Sequence, residues 1–258
     1  MTAATDADRP KEPVIQVRGL AKRFGPRTLF RDVSFDVRRG EIFVILGGSG
    51  CGKSTLLKLL IGLLEPTAGQ IDVLGEDWAK LQDKARRSLL QRIGVMWQSG
   101  ALLGSFNLAE NVEIPIEAHT ALPPEARALI SRAKLGLVGL RDAAGLLPAE
   151  ISGGMLKRAG IARAMALDPE ILFLDEPSAG LDPITSAGLD KLIVSLARET
   201  GTTFVVVTHE LQSILAIGDR CIMLDKEAQG MIAEGDPRKL RDESEHPTVR
   251  AFFRREAM

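Results

Sequence analysis

Three apolar runs without a polar residue mark the chain: Ile42-Phe43-Val44-Ile45-Leu46, Ile171-Leu172-Phe173-Leu174 and Phe204-Val205-Val206-Val207. Runs this short and unbroken predict strands buried on both faces, as in a parallel sheet covered by helices. Val14 to Val17 and Val33 to Val37 also read as strands, the second with the alternation of a half-buried face. Cys221 to Leu224 and Met231 to Ala233 read as closing strands. Lys53 to Leu64 predicts a helix closed by Pro66. Residues 98–166 are dominated by helical spacing. Asn107 with Glu110 forms a capping-box pattern, and Pro123-Pro124 precedes the helix formers Glu125 to Lys134. Asp182-Pro183 places an N-cap before a proline at the first helical position. The pattern is an α/β core interrupted by a helical insertion. A polar, disordered tail over 1–13 precedes it and a short tail follows from about 241.

Composition narrows the class without naming an activity. The 258 residues are 45% hydrophobic and 26% charged, ordinary values for a soluble globular chain. A net charge of −1 gives no reason to expect a nucleic-acid partner. Cys51 and Cys221 stand far apart, as in a reducing compartment. His119, His209 and His246 have no metal-ligand spacing. No apolar run reaches the roughly 20 residues of a membrane helix, and the N-terminus has no secretory-signal core. If the protein works at a membrane, it docks onto something that spans it.

The chemistry starts at Gly47-Gly48-Ser49-Gly50-Cys51-Gly52-Lys53-Ser54-Thr55, a P-loop pattern between a buried strand and a helix. Its glycines let backbone N–H groups turn toward phosphate oxygens at a helix start. Lys53 is expected to reach the β- and γ-phosphates, Ser54 to hold Mg²⁺, and Thr55 to contact the α-phosphate. Cys51 reads either as a thiol activated near a helix start or as a small tolerated side chain. The strand 171–174 delivers Asp175 and Glu176 at its C-terminal end, where α/β sheets place ligands. Asp175 suits Mg²⁺, and Glu176 suits the general base or water-positioning group for attack on a γ-phosphate. Ser152-Gly153-Gly154 offers a hydroxyl and free backbone N–H groups at the positive end of a helix, a second anion site.

Together these motifs resemble the nucleotide-binding subunit of ABC transporters, over about residues 14–240. The resemblance implies an α/β P-loop NTPase core with an inserted helical subdomain and an N-terminal antiparallel β region. It divides the chain into core segments 14–97 and 167–240, a helical subdomain 98–166, and a C-terminal tail 241–258. It implies ATP and Mg²⁺ as cofactors. Gln98 becomes the loop glutamine that contacts Mg²⁺ and the attacking water, and His209 the switch histidine near the γ-phosphate. Asp182 matches the aspartate of the loop 178–182, and Phe24 the aromatic that stacks on adenine, often Tyr in the family. Ile151-Ser152-Gly153-Gly154-Met155 matches the signature, usually Leu-Ser-Gly-Gly-Gln, supported by Arg158 and Ile161-Ala162-Arg163-Ala164. In the family Ser152, Gly153 and Gly154 would contact the ATP of the opposite subunit, in a two-fold homodimer. Met155 departs from the usual Gln, so that residue's polar contact is lost.

Within the family, Ser-Gly-Gly-Met followed by Arg-Ala resembles the Mla/Mce-type phospholipid-transport branch. The stretch from Gln98 through Leu103 to Asn111, Val112 and Pro115 also resembles it, and so does Pro247 to Phe253. The branch implies a peripheral ATPase on the cytoplasmic face of the inner membrane, bound to an integral membrane permease dimer. An MCE-domain substrate-binding protein and a STAS-domain protein are further expected partners. Val249, Phe252 and Phe253 among arginines suit a short helix that docks onto the dimer. The alternatives are an importer ATPase for amino acids or another small solute and, more remotely, a non-transport ABC ATPase.

Overall fold

The computed structural model describes residues 12–255. Residues 1–11 of the expected N-terminal tail, and 256–258, lie outside the described residues.

Two sheets organise the chain. The first is antiparallel, in the order β2-β1-β4-β5, built from β1 (Pro13–Phe24), β2 (Arg27–Arg38), β4 (Ala68–Val73) and β5 (Glu76–Asp77). The second has the order β10-β9-β3-β8-β7-β6. Its strands are β3 (Ile42–Gly47), β6 (Ile93–Met96), β7 (Ile171–Asp175), β8 (Thr203–Val207), β9 (Arg220–Asp225) and β10 (Gly230–Gly235). Every pairing in it is parallel except β9 with β10. This is the expected α/β core with an antiparallel N-terminal region.

The unbroken apolar runs are explained by burial on both faces. Along β3, Ile42, Val44 and Leu46 join one core, while Phe43 and Ile45 join the other. Leu172 and Leu174 alternate with Ile171 and Phe173 in the same way, as do Phe204 and Val206 with Val205 and Val207. A strand with water on one face would have kept polar residues at every second position.

Helix α1 (Lys53–Leu60) follows the P-loop and is shorter than predicted. Gly62 takes φ +71°, and Leu63 N–H turns back to Lys58 O at 2.8 Å. A Cβ at Gly62 would lie 2.9 Å from the Trp78 ring, so a longer helix would collide with that packing. Helix α2 (Asp83–Gln91) and strands β4 and β6 went unpredicted. β4 is half exposed, with its first three residues open to solvent, and β6 is four residues long and broken by Gly94. A Cβ at Gly94 would meet Ala164 O at 2.2 Å, so only glycine lets this strand approach the helix beside it.

The inserted helices are α3 (Leu108–His119), α4 (Pro124–Leu137) and α5 (Gly153–Ala164). The Asn107–Glu110 capping box is formed, and Asp182 caps α6 (Pro183–Thr200). After α7 (Leu211–Ile217) and β10 come α8 (Pro237–Glu243) and α9 (Pro247–Arg254). Val249 and Phe253 of α9 are buried in the chain's own core. That apolar face therefore needs no second copy to cover it.

Candidate functional site

Parallel strands put their C-terminal ends on one edge, and the order β3-β8-β7-β6 sets what meets there. The P-loop leaves β3, His209 follows β8, Asp175 ends β7 with Glu176 after it, and Gln98 follows β6. Residues from Gly47 to His209 in sequence are thus brought side by side by strand order alone.

The P-loop backbone requires its glycines. Gly47 has φ +148°, Gly50 +74° and Gly52 +108°, all in the region that side chains disfavour. A Cβ at Gly47 would stand 2.3 Å from Leu224 O. Gly48 and Gly50 face open space, which leaves room for a ligand against the loop. Lys53 Nζ folds back over the loop and donates to Gly47 O at 2.8 Å and Gly48 O at 3.3 Å. Its charge is therefore poised at the mouth of the cradle. Leu29 and Phe30 of β2 pack on Gly52, so the β1–β2 hairpin flanks the loop. Phe24 lies at the tip of that hairpin, half-exposed, with Lys22 Nζ 5.1 Å from its ring centroid.

Cys51 is buried, and burial pushes its thiol above the ordinary range, against a smaller opposing pull from Lys53. The activated-thiol reading is therefore not the one the structure supports. The thiol fills space beneath Gly47.

Asp175 is buried, and desolvation followed by repulsion from Glu176 raises its pKa, with Lys58, Lys53 and Lys157 opposing. Its Oδ1 has no hydrogen-bond partner, and neither has Oε2 of Glu176. Two orphaned buried carboxylate oxygens beside a P-loop are what a cation and a water would satisfy. The oxygen donors Ser54, Gln98 and Asp175 form a set that fits Mg²⁺ chemically. Glu176 Oε1 contacts His209 Nδ1 at 2.8 Å, and the His209 side chain is 56% exposed. Glu176 also has φ +47°, a left-handed conformation costing about 1–3 kcal/mol outside glycine. Its N–H donates to Val207 O at 2.8 Å, which fixes one end of that strained residue.

Ser152 caps α5 by accepting from Met155 N–H at 3.3 Å, which leaves its own O–H free to donate outward. Gly154 is buried against α6, where a Cβ would stand 2.5 Å from Thr185 Cγ2. Met155 packs partly into the core, so an apolar side chain suits that position. Asp182 accepts from Ile184 N–H, Thr185 N–H and Thr185 Oγ1–H, and these bonds lower its pKa. Among the described residues, no hydrogen bond joins Ser152, Gly153 or Gly154 to the P-loop or to the carboxylates. The chain thus holds one cluster at the sheet edge and a second, separate loop.

Lys157 is a structural partner of this site, and Asn111 a buried polar group apart from it; residue chemistry singled out neither as an acting group. Lys157 sits on α5 with Gly154 and Ile161 at a spacing of three and four, all buried. A charged residue on that inner face was the available signal. Burial lowers its pKa, while Glu176 and Asp175 oppose that shift. Asn111 is fully buried and binds the backbone of Leu103, Phe106 and Asn107.

Comparison with known proteins bears on most of the chain. The family described as ABC transporter matches residues 30–179. The intermembrane phospholipid transport system ATP-binding protein MlaF of Escherichia coli K12 is 40% identical over 232 residues, 87% of this chain and 86% of that protein. The probable ribonucleotide transport ATP-binding protein mkl of Mycobacterium leprae is 40% identical over 248 residues, covering 96% of this chain and 71% of that protein. The chain spans 66% of the Mycobacterium tuberculosis counterpart. Among solved structures, cbiO1 of Clostridium perfringens, part of the ABC transporter complex cbiONQ, superposes with a TM-score of 0.82 at 27% identity, over 90% of this chain and 92% of that one. A dimeric ATP-binding cassette in a post-hydrolysis state, bound to ADP and Pi, gives 0.76 at 30% identity, over 86% and 98%.

Proposed function

Because the chain belongs to the ABC transporter family and has the fold of its ATP-binding cassettes, we propose that it hydrolyses ATP to power phospholipid transport through a Mla/Mce-type permease. The observation that carries the ATPase reading is the shared sheet edge, where Lys53 faces the open P-loop and Asp175 and Glu176 each keep a buried oxygen without a partner. The phospholipid assignment draws on the 40% identity to the Escherichia coli protein, which extends across most of both chains.

On this reading the P-loop N–H groups from Gly47 to Thr55 hold the phosphates, and Lys53 leaves its loop carbonyls for the β- and γ-phosphate oxygens. Phe24 presents a π-face to adenine. Ser54, Asp175 and Gln98 would hold Mg²⁺, which when bound neutralises charge on the phosphates. Glu176 orients the attacking water and takes its proton, and His209 holds the Glu176 carboxylate in place. Ser152, Gly153 and Gly154 bind the γ-phosphate on a second copy, with Asp182 ordering the adjoining loop. One ATPase domain over 14–240, with its helical subdomain at 98–166, then forms a homodimer with two composite sites.

The dimer sits on the cytoplasmic face of the inner membrane, bound to a permease dimer. Among the described residues no helix is long and apolar enough to cross a membrane, so the permease supplies the passage. An MCE-domain protein and a STAS-domain protein complete the assembly. Purification of the native membrane complex with mass spectrometry of its subunits and bound molecules tests this. Phospholipid and an MCE-domain subunit are the expected result. A small polar solute with no lipid would instead favour a small-solute transporter, the reading suggested by the mycobacterial relative's name.

A further inference from the structure

Lys157 is 7% exposed, yet no carboxylate forms an ion pair with it among the described residues. Its ammonium instead donates to two backbone carbonyls, Gln98 O and, at 3.3 Å, Glu176 O. Both acceptors belong to residues that handle the attacking water in the proposed reaction. Glu176 holds a left-handed backbone, with its N–H fixed by Val207 O and its C=O shared between Ala179 N–H at 3.2 Å and the Lys157 ammonium. Such a conformation persists only where the surroundings over-determine it.

The same helix continues along the glutamine loop. A Cβ at Gly160 would stand 3.1 Å from Gly100 Cα, and Arg163 donates to Ala101 O at 2.6 Å and Gly100 O at 3.0 Å. Positions 157, 160 and 163 therefore clamp residues 98–101 onto α5. The start of α5 is Ser152–Gly154, the loop that leaves the chain's own site alone.

We propose that Lys157 is a positioning residue for hydrolysis, tying Gln98 and Glu176 of its own site to the helix whose start completes the partner copy's site. This rests on the composite-site dimer proposed above. Movement of α5 on closing over the partner's ATP would be transmitted through one ammonium to the two water-handling groups in its own subunit. A link of this kind would couple the two sites.

Lys157→Met keeps the buried stem and removes the donors. Lys157→Gln keeps one short N–H donor group and serves as the milder variant if the methionine protein folds poorly. ATP affinity, read with a fluorescent ATP analogue, and KM should stay within about twofold, while kcat falls about tenfold or more in Lys157→Met and less in Lys157→Gln. A lysine needed only for folding would lower the melting temperature and change KM and kcat together, which would overturn the proposal.

Mixed dimers locate the effect. Lys157→Met and Ser152→Arg placed in one chain, paired with a wild-type chain, should damage both sites and leave only residual turnover. Divided between two chains, the same changes should leave one site intact and match a dimer divided between Lys53→Ala and Ser152→Arg. The opposite ranking would mean that Lys157 serves the partner's site, and the proposal fails. Should the Lys53 and Ser152 changes give equal activity whether divided or combined, the composite-site reading itself fails, whatever Lys157 does.

Discussion

His209 Nδ1 lies 2.8 Å from Glu176 Oε1, across the ends of the neighbouring strands β8 and β7. The contact occupies one carboxylate oxygen and leaves Oε2 buried without a partner. One oxygen is thus held and the other is available to a water. Glu176→Gln keeps the shape and the contact to His209 but cannot accept a proton. Its turnover should fall by about 10²- to 10⁴-fold, the usual contribution of a general base. ATP binding should persist, and ATP-bound dimers should accumulate on size-exclusion chromatography. Full steady-state phosphate release by this variant would remove Glu176 from its role.

Lys53→Ala acts on binding instead. The lysine holds only loop carbonyls here, so its loss leaves no charged partner stranded. Stability should change little. A hydrogen bond to a charged group contributes about 1.5–3 kcal/mol, so ATP affinity should weaken by about 10- to 150-fold. Titration with a fluorescent ATP analogue measures this. Unchanged affinity would show that the lysine does not reach the phosphates.

Asp190 on α6 offers a test of buried charge away from the site. It is 6% exposed, its Oδ2 accepts from Ser213 Oγ at 2.9 Å, and its Oδ1 has no partner. Desolvation raises its pKa, with Ser213 opposing. A carboxyl raised in the fold is stable there while neutral, and stability is lost as pH rises through its folded pKa. Asp190→Asn should therefore match the wild type below about pH 4, near the unfolded carboxyl value. It should melt higher as pH rises, by about 2–4 °C for each kcal/mol in a chain of this size. A lower melting temperature at neutral pH would show that the charge is needed.

The legible parts were those where one residue class dominates a run. Ile42–Leu46 and Phe204–Val207 announced a doubly covered sheet, and the order of the motifs announced what its edge would carry. β6 was hidden because Gly94, required for contact with Ala164, breaks its apolar pattern. Lys157 was hidden for a different reason. Its partners are backbone carbonyls 59 and 19 residues away, and carbonyls leave no trace in a side-chain pattern. The end of α1 depended on Trp78 packing over Gly62, a tertiary contact that local helix propensity does not contain.

Asn111 makes the last prediction. Its Oδ1 accepts from Leu103 N–H at 2.8 Å, and its Nδ2 donates to Leu103 O, Phe106 O and Asn107 O at 3.0–3.1 Å. One buried amide therefore shapes the loop that presents the half-exposed Leu103 and Phe106. Asn111→Ala strands several of these backbone groups, each costing about 1–3 kcal/mol where water cannot reach it. The loop can open to solvent to recover part of that, so the net loss should be about 2–4 kcal/mol. Hydrogen exchange should rise first at residues 103–107. The ATP site lies on a separate element, so basal ATPase of the isolated subunit should hold within about twofold where the protein remains folded. Unchanged exchange at 103–107 would show that the loop is held by something other than Asn111.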